Sequence, residues 1–180
     1  MTENDWDVLA RWGSDPEVLW FSEGDDVEAY PLEDVQEIYR GVSRAAFCFI
    51  IEVGGHAIGE CWLQEMNLAR ILTRYPGKDC RRIDITIGEM ALWGRGYGTD
   101  AIRTLTRWGF EDQGADLIFG CGIADYNPRS RRAFEKAGYV LDQRVRESPD
   151  AKAQWSYDLV LSREDYLRGQ MPDKATPRDD

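Results

Sequence analysis

Arg82-Ile83-Asp84-Ile85-Thr86-Ile87-Gly88, followed after five residues by Gly94-Arg95-Gly96-Tyr97-Gly98-Thr99, is the stretch on which the fold of this chain turns. Ile83, Ile85 and Ile87 recur at the two-residue period of a strand, so they share one face while Asp84 and Thr86 point to the other. Glycines at 94, 96 and 98 then let the backbone turn tightly and approach a ligand. Behind them Ala101, Ile102, Leu105 and Trp108 recur at helical spacing until Gly114, and the apolar run Leu117 to Ala124 reads as a buried parallel strand. Strand, glycine loop, helix and strand make a βαβ unit. The loop sits where a helix N-terminus offers unpaired N–H groups to an anion such as phosphate. No Gly-Lys-Ser/Thr follows at P-loop spacing, and no acidic residue ends a following strand as a dinucleotide fingerprint requires.

Toward the C-terminus, Asn127-Pro128 is an N-cap followed by proline at the first helical position, and Ala133, Phe134 and Ala137 lead to a stop at Gly138. Tyr139 to Val145 and Trp155 to Leu161 read as closing strands, and Ser162 with Asp165 caps a last short helix. Toward the N-terminus, residues 47–53 and 57–63 flank Gly54-Gly55 as a hairpin. Thr2 and Asp5 cap a first helix with apolar Trp6, Leu9, Ala10 and Trp12, ending at Gly13. Residues 15–28 read as a loop, Leu32, Val35, Ile38 and Tyr39 as a helix behind Pro31, and 67–81 as irregular. The pattern predicts one α/β domain over residues 1–170 and a charged, flexible tail at 171–180.

With 180 residues, 43% of them hydrophobic, the chain is long enough for one substantial core and too short for two ordinary ones. The 33 acidic against 22 basic residues give a net charge of −11, which repels phosphate backbones and anionic lipid and attracts cations. Nucleic-acid and membrane partners are therefore not expected. Acidity also serves solubility, so charge alone assigns no ligand. Cys48, Cys61, Cys80 and Cys121 form no CxxC pair and stand apart from the lone His56, so no metal site is predicted. The thiols suit a reducing compartment. Without a spanning apolar run or a leader-like N-terminus, a cytoplasmic location is expected, as monomer or homodimer.

The glycine loop and the later Asn127-Pro128-Arg129-Ser130, with Phe134-Glu135-Lys136-Ala137-Gly138-Tyr139, resemble in order and separation the two signature motifs of the GNAT N-acetyltransferase superfamily. The resemblance covers about residues 83 to 139. It implies a central mixed, mostly antiparallel, twisted sheet flanked by helices, with the βαβ unit binding acetyl-CoA as co-substrate. The amides of Arg95, Gly96, Tyr97, Gly98 and Thr99 would then grip the pyrophosphate, and Asn127 and Ser130 would face the pantetheine arm. Shorter stretches resemble the aminoglycoside 6'-N-acetyltransferases: the opening Met-Thr-Glu-Asn-Asp, Asp34-Val35-Gln36-Glu37 with Tyr39, Arg82-Ile83-Asp84 and Glu135-Lys136-Ala137-Gly138. In that group an aspartate ten residues before the first loop glycine binds and helps deprotonate the substrate amine, and Asp84 stands ten before Gly94. The alternative for Asp84 is a strand-face carboxylate paired with Arg81 or Arg82.

A carboxylate against an ammonium of pKa near 10 can take its proton. Attack on the thioester builds charge on its carbonyl oxygen, which free amides around Met90 to Leu92 would stabilise, so Leu92 joins the cofactor site. No covalent enzyme intermediate is needed. Trp20, Phe21, Glu23, Asp25 and Asp26 form an aromatic and acidic cluster suited to a polycationic amine, or else a solvated acidic loop beside two core aromatics. Asp125 lies just past a strand C-terminus, where parallel sheets place ligands, or merely caps the next helix.

The chain departs from the family pattern in three places. Trp93 stands where the superfamily has Gln or Arg for one phosphate contact. Phe134, in the cofactor motif, stands where many relatives carry a tyrosine that protonates the departing thiolate. The family opens on a strand and this chain on a helix, so an edge strand is missing or the start lies upstream. The alternatives to an aminoglycoside-type acceptor are a protein N-terminus or another small amine, or a non-catalytic acyl-CoA sensor.

Overall fold

The computed structural model describes residues 1–23 and 29–170. The helices and strands run α1 (Trp6–Trp12), α2 (Pro16–Ser22), α3 (Leu32–Val42), β1 (Ala46–Val53), β2 (His56–Glu65), α4 (Ala69–Arg74), β3 (Cys80–Ile87), α5 (Tyr97–Glu111), β4 (Leu117–Ala124), α6 (Pro128–Lys136), β5 (Val140–Arg146), β6 (Trp155–Ser162) and α7 (Arg163–Gln170). The strands form one sheet in the order β1-β2-β3-β4-β6-β5. Only β3 and β4 run parallel, joined by α5, and every other neighbouring pair is antiparallel. The predicted α/β class, mostly antiparallel sheet and βαβ unit are all present.

Local chemistry explains most boundaries. The Thr2 and Asp5 side chains form a reciprocal capping box on a short 3₁₀ turn that leads into α1. At α7 the Ser162 hydroxyl accepts from the Asp165 N–H and donates to its carboxylate. Two segments differ from the sequence reading. Within the predicted 15–28 loop, Pro16–Ser22 is helical, because the Asp15 carboxylate accepts the N–H groups of Glu17 and Val18 and Pro16 sits in the first turn. Within the irregular 67–81 stretch, Ala69–Arg74 is a helix too short to show a period. Its anchors lie far away in sequence: Arg70 grips Asp158, and Arg74 and Tyr75 both bond Asp142. The expected 171–180 tail lies outside the described residues.

The sheet buries both faces. Against one, α5 and α6 pack Ile102, Leu105, Phe110 and Phe134 on Leu63, Ile83, Ile118 and Leu159. Against the other, α1 to α3 cover the β1–β3 half through Leu9, Trp12, Val18 and Val35, and α4 covers the centre through Ile71, Met66 and Phe119.

The feature that matters for function lies in the middle. The parallel ladder pairs Cys80 with Leu117, Arg81 with Ile118 and Arg82 with Phe119 and stops there, although both strands run on. A bulge in β4 is the cause. Its register with β6 shifts between Gly120 and Ile123, Gly122 adopts φ +66°, and the freed Gly122 N–H is taken by the fully buried Asp158 carboxylate at 2.9 Å. The bulge turns β4 away from β3, so the two strands part beyond Arg82.

Candidate active site

The glycine loop delivers the chain to α5 through Gly94 and Gly96, both in the left-handed region at φ +74° and +94°. A side chain at either would meet nothing within 4 Å, so the loop faces open space. No side chain caps α5 at Gly96, which leaves the first-turn N–H groups pointing outward. Arg95 is exposed beside them. The open loop, the uncapped 15-residue helix and the adjacent β3–β4 gap fit a phosphorylated ligand with a long extended arm.

Around the gap the other predicted cofactor residues divide. Asn127 accepts the Ser130 N–H at 3.2 Å as the α6 cap, and its amide donates to the Phe21 carbonyl at 3.1 Å, tying α6 to α2. Phe134 is 2% exposed, stacked edge-on against Tyr139 and packed on Gly120, so it is a core side chain in this structure. Tyr139 does not replace the missing hydroxyl, because its OH is buried against Thr106 at 2.7 Å. The Leu92 N–H, read as free for an oxyanion, instead donates to Glu89 O at 2.9 Å within a 3₁₀ turn. Trp93 donates its indole N–H to Ile87 O at 2.6 Å and carries the Arg129 guanidinium over its ring at 4.0 Å. Arg129 also lies 4.3 Å over Phe21. Trp93 therefore builds the wall between α2 and α6.

The acceptor side is the sheet face opposite the isoleucines. Cross-strand register sets Glu60 against Thr86, Trp62 against Asp84 and Gln64 against Arg82. Asp84 does face away from the apolar side, as alternation predicts. Its partners are those of the ion-pair alternative, with Gln64 added: Arg82 grips both carboxylate oxygens, and Gln64 Nε2 donates to Oδ2 at 2.5 Å. The strand-face ion pair is thus what this structure displays. Asn67 Oδ1 accepts from Arg82 at 3.1 Å and extends the network. Gln64 and Asn67 also line a groove of about 620 Å³ beneath α3, whose other walls include Tyr30, Asp34, Glu37 and Ile38.

Glu60 was not singled out by the sequence, where it reads as one polar position in an alternating strand. Trp62 Nε1 donates to its carboxylate at 2.9 Å, and Tyr39 of α3, edge-on to the Trp62 ring at 5.6 Å, hydrogen-bonds it as well. Burial pushes the Glu60 carboxyl up to about 7, against those two hydrogen bonds, with Glu23 and Asp84 adding like-charge repulsion. Glu23, Glu60 and Asp84 thus share one electrostatic neighbourhood.

The aromatic cluster is partly self-occupied. Trp20 lies 6.1 Å from Tyr126, and the Lys152 ammonium covers the Trp20 ring and donates to the Trp20 carbonyl at 3.1 Å. A protein cation thus holds the ring position predicted for a substrate amine. Glu23 accepts from the Tyr30 hydroxyl at 3.4 Å, while Asp25 and Asp26 lie outside the described residues. Asp125 exchanges two hydrogen bonds with the Trp155 backbone, closing the start of β6. Burial pushes the Cys48 thiol up to about 11 and those of Cys61 and Cys121 to about 12, so these three are not thiolates at neutral pH. Among the described residues no cluster of His, Cys, Asp or Glu is arranged to hold a metal ion, and no helix is long and apolar enough to cross a membrane.

Solved structures share this architecture. The aminoglycoside acetyltransferase AAC(6')-Ib, in complex with ribostamycin and coenzyme A, superposes with a TM-score of 0.76 at 23% identity, covering 95% of both chains. The same enzyme with coenzyme A and kanamycin gives 0.74 at 22% identity, over 95% of this chain and 96% of that one. Spermidine N-acetyltransferase from Vibrio cholerae, with CoA and spermine, gives 0.72 at 17% identity, over 93% and 95%. A search of curated protein sequences returns no significant match. The family profile of the acetyltransferase (GNAT) domain matches residues 1–140, and with that match, the parted parallel strands and the uncapped glycine loop, the chain belongs to the GNAT acetyltransferases.

Proposed function

We propose that this protein transfers acetyl from acetyl-CoA directly to a primary amine of a cationic small molecule, an aminoglycoside 6'-amine being the first acceptor to test. The observation that carries the reading is one of position. The open glycine loop and the β3–β4 gap meet a sheet face on which Glu60 and Asp84 stand on neighbouring strands. The amides of residues 95–99 would hold the pyrophosphate and the gap the pantetheine arm, as the free first turn of α5 and the interrupted ladder favour. When bound, the co-substrate supplies an activated acetyl thioester. Asp84, fixed by Arg82 and Gln64, sets a negative charge against the acceptor ammonium. The acidic groove walls Asp34 and Glu37 extend that field toward further amines of a polycation. The AAC(6')-Ib and spermidine acetyltransferase structures, with bound aminoglycosides and spermine, support the substrate class.

Direct attack suits the site, because Cys48, on the acidic face, and Cys121, in the β4 bulge beside the gap, stay protonated at neutral pH. The decisive experiment is a turnover screen with acetyl-CoA against aminoglycosides, polyamines and N-terminal peptides. Acetylation of polycations well above neutral or peptide amines is expected. Preference for peptide N-termini would move the acceptor to that class. Coenzyme binding without turnover of any amine would make the chain an acyl-CoA sensor.

A further inference from the structure

Resting on that reading, we propose that Glu60, and not Asp84, takes the proton from the acceptor amine, while Asp84 orients it by charge. The two residues share a face: Glu60 opposes Thr86 and Asp84 opposes Trp62, so they are diagonal neighbours on adjacent strands, their backbones about 7 Å apart by sheet geometry. Such a spacing puts one bound ammonium in the field of both. Their hydrogen bonds divide the work. Asp84 is committed, with Arg82 on both oxygens and Gln64 on one of them. Three donors thus already occupy its two oxygens. Glu60 has no arginine. Its partners are neutral donors, the Trp62 indole and the Tyr39 hydroxyl, which orient the group and leave its charge uncompensated.

The groups facing Glu60 come from four elements: Tyr39 from α3, Glu23 past the end of α2, Cys48 from β1 and Asp84 from β3. None of the four is a cation, and the N-terminal ammonium that also acts on Cys48 is held on the Cys48 carbonyl at 3.3 Å. Burial and the two acidic neighbours raise Glu60 to about 7, where a general base is most effective near neutral pH. The step balances simply. The ammonium gives one proton to Glu60, and the freed nitrogen lone pair bonds the acetyl carbon as the carbon–sulfur bond breaks. The nitrogen's second proton leaves with the thiol, and Glu60 returns its proton to water.

The test is the pH profile of kcat/KM for an amine that the wild type acetylates. Wild type should rise through an acid limb near pH 7. Glu60→Gln should lose that limb and at least about 10²-fold in kcat/KM, with coenzyme affinity and thermal unfolding unchanged, and Glu60→Asp should retain the limb at reduced rate. Tyr39→Phe, which keeps the carboxylate in place, removes a hydrogen bond that favours its ionised form, so the limb should move to higher pH. Asp84→Asn should keep the limb, shifted down by loss of a like charge, and act mainly on KM. A Glu60→Gln enzyme with the wild-type limb, or one lowered in rate at every pH alike, overturns the inference and leaves acetyl transfer intact. If Glu60→Gln fails to fold, an unmoved limb in Tyr39→Phe overturns it instead. A wild type that acetylates no amine overturns the functional reading and this inference with it.

Discussion

Gly98 offers a test of the glycine loop that leaves the backbone alone. Unlike Gly94 and Gly96 it has no positive φ, and a Cβ there would meet only Ile87 Cγ1 at 3.8 Å. Gly98→Glu therefore fits α5 and removes a helix glycine, which favours folding by up to about 1 kcal/mol, while setting a carboxylate among the free amides. Coenzyme A affinity measured by calorimetry should fall more than tenfold with thermal stability equal or higher. Unchanged affinity would take the pyrophosphate away from this loop. At this scale the sequence is legible where direction alone is asked: alternating isoleucines set the face of Asp84, and Asn127-Pro128 set the start of α6. It is silent where a role depends on a partner. The chain itself offers Arg82, two residues back on the same strand, as a partner for Asp84, but nothing local says that Gln64 will join it, and nothing near Glu60 says that Tyr39 will close over it. Trp93, by position a phosphate contact, becomes a wall because Ile87 O and Arg129 are there to receive it.

Among the elements, α4 shows how a short helix can hold a site open. Arg70 binds both oxygens of Asp158, and Asp158 in turn takes the Gly122 amide that the β4 bulge sets free. Losing one partner of a buried pair costs about 3–5 kcal/mol, and Arg70 is one-third exposed, so Asp158→Asn should destabilise by about 3 kcal/mol in urea unfolding. Removing the largely exposed pair between Arg168 and Glu164 should cost less than about 1 kcal/mol. Comparable losses for the two variants would refute the clamp. Elements with a long period, such as α5, or strong caps, such as α6, can be read from the chain directly. The clamp cannot, because its two ends lie 88 residues apart and Ala69–Arg74 has fewer than two turns in which to show a pattern. The helix Pro16–Ser22 was hidden differently, its Asp15 cap lost among prolines, glycines and acids that favour loops.

For the molecule as a whole, a net charge of −11 should act oppositely on the two substrates of the proposed reaction. Raising ionic strength to physiological values shortens screening to about 8 Å, so KM for a polycationic acceptor should rise severalfold while KM for the anionic acetyl-CoA does not rise with it. Parallel increases in both would remove the long-range field from recognition and leave only local contacts. The parting of β3 from β4 has a further meaning at this scale. A sheet is a woven fabric of backbone bonds, and this one is stitched across its centre by three rungs only, with the seam left open beyond Arg82. An extended arm carrying its own amides fits that seam as a short strand would, whereas a rigid planar group of the same volume has no bonds to offer it. On the proposed reading, the protein would complete its weave with a thread borrowed from the ligand.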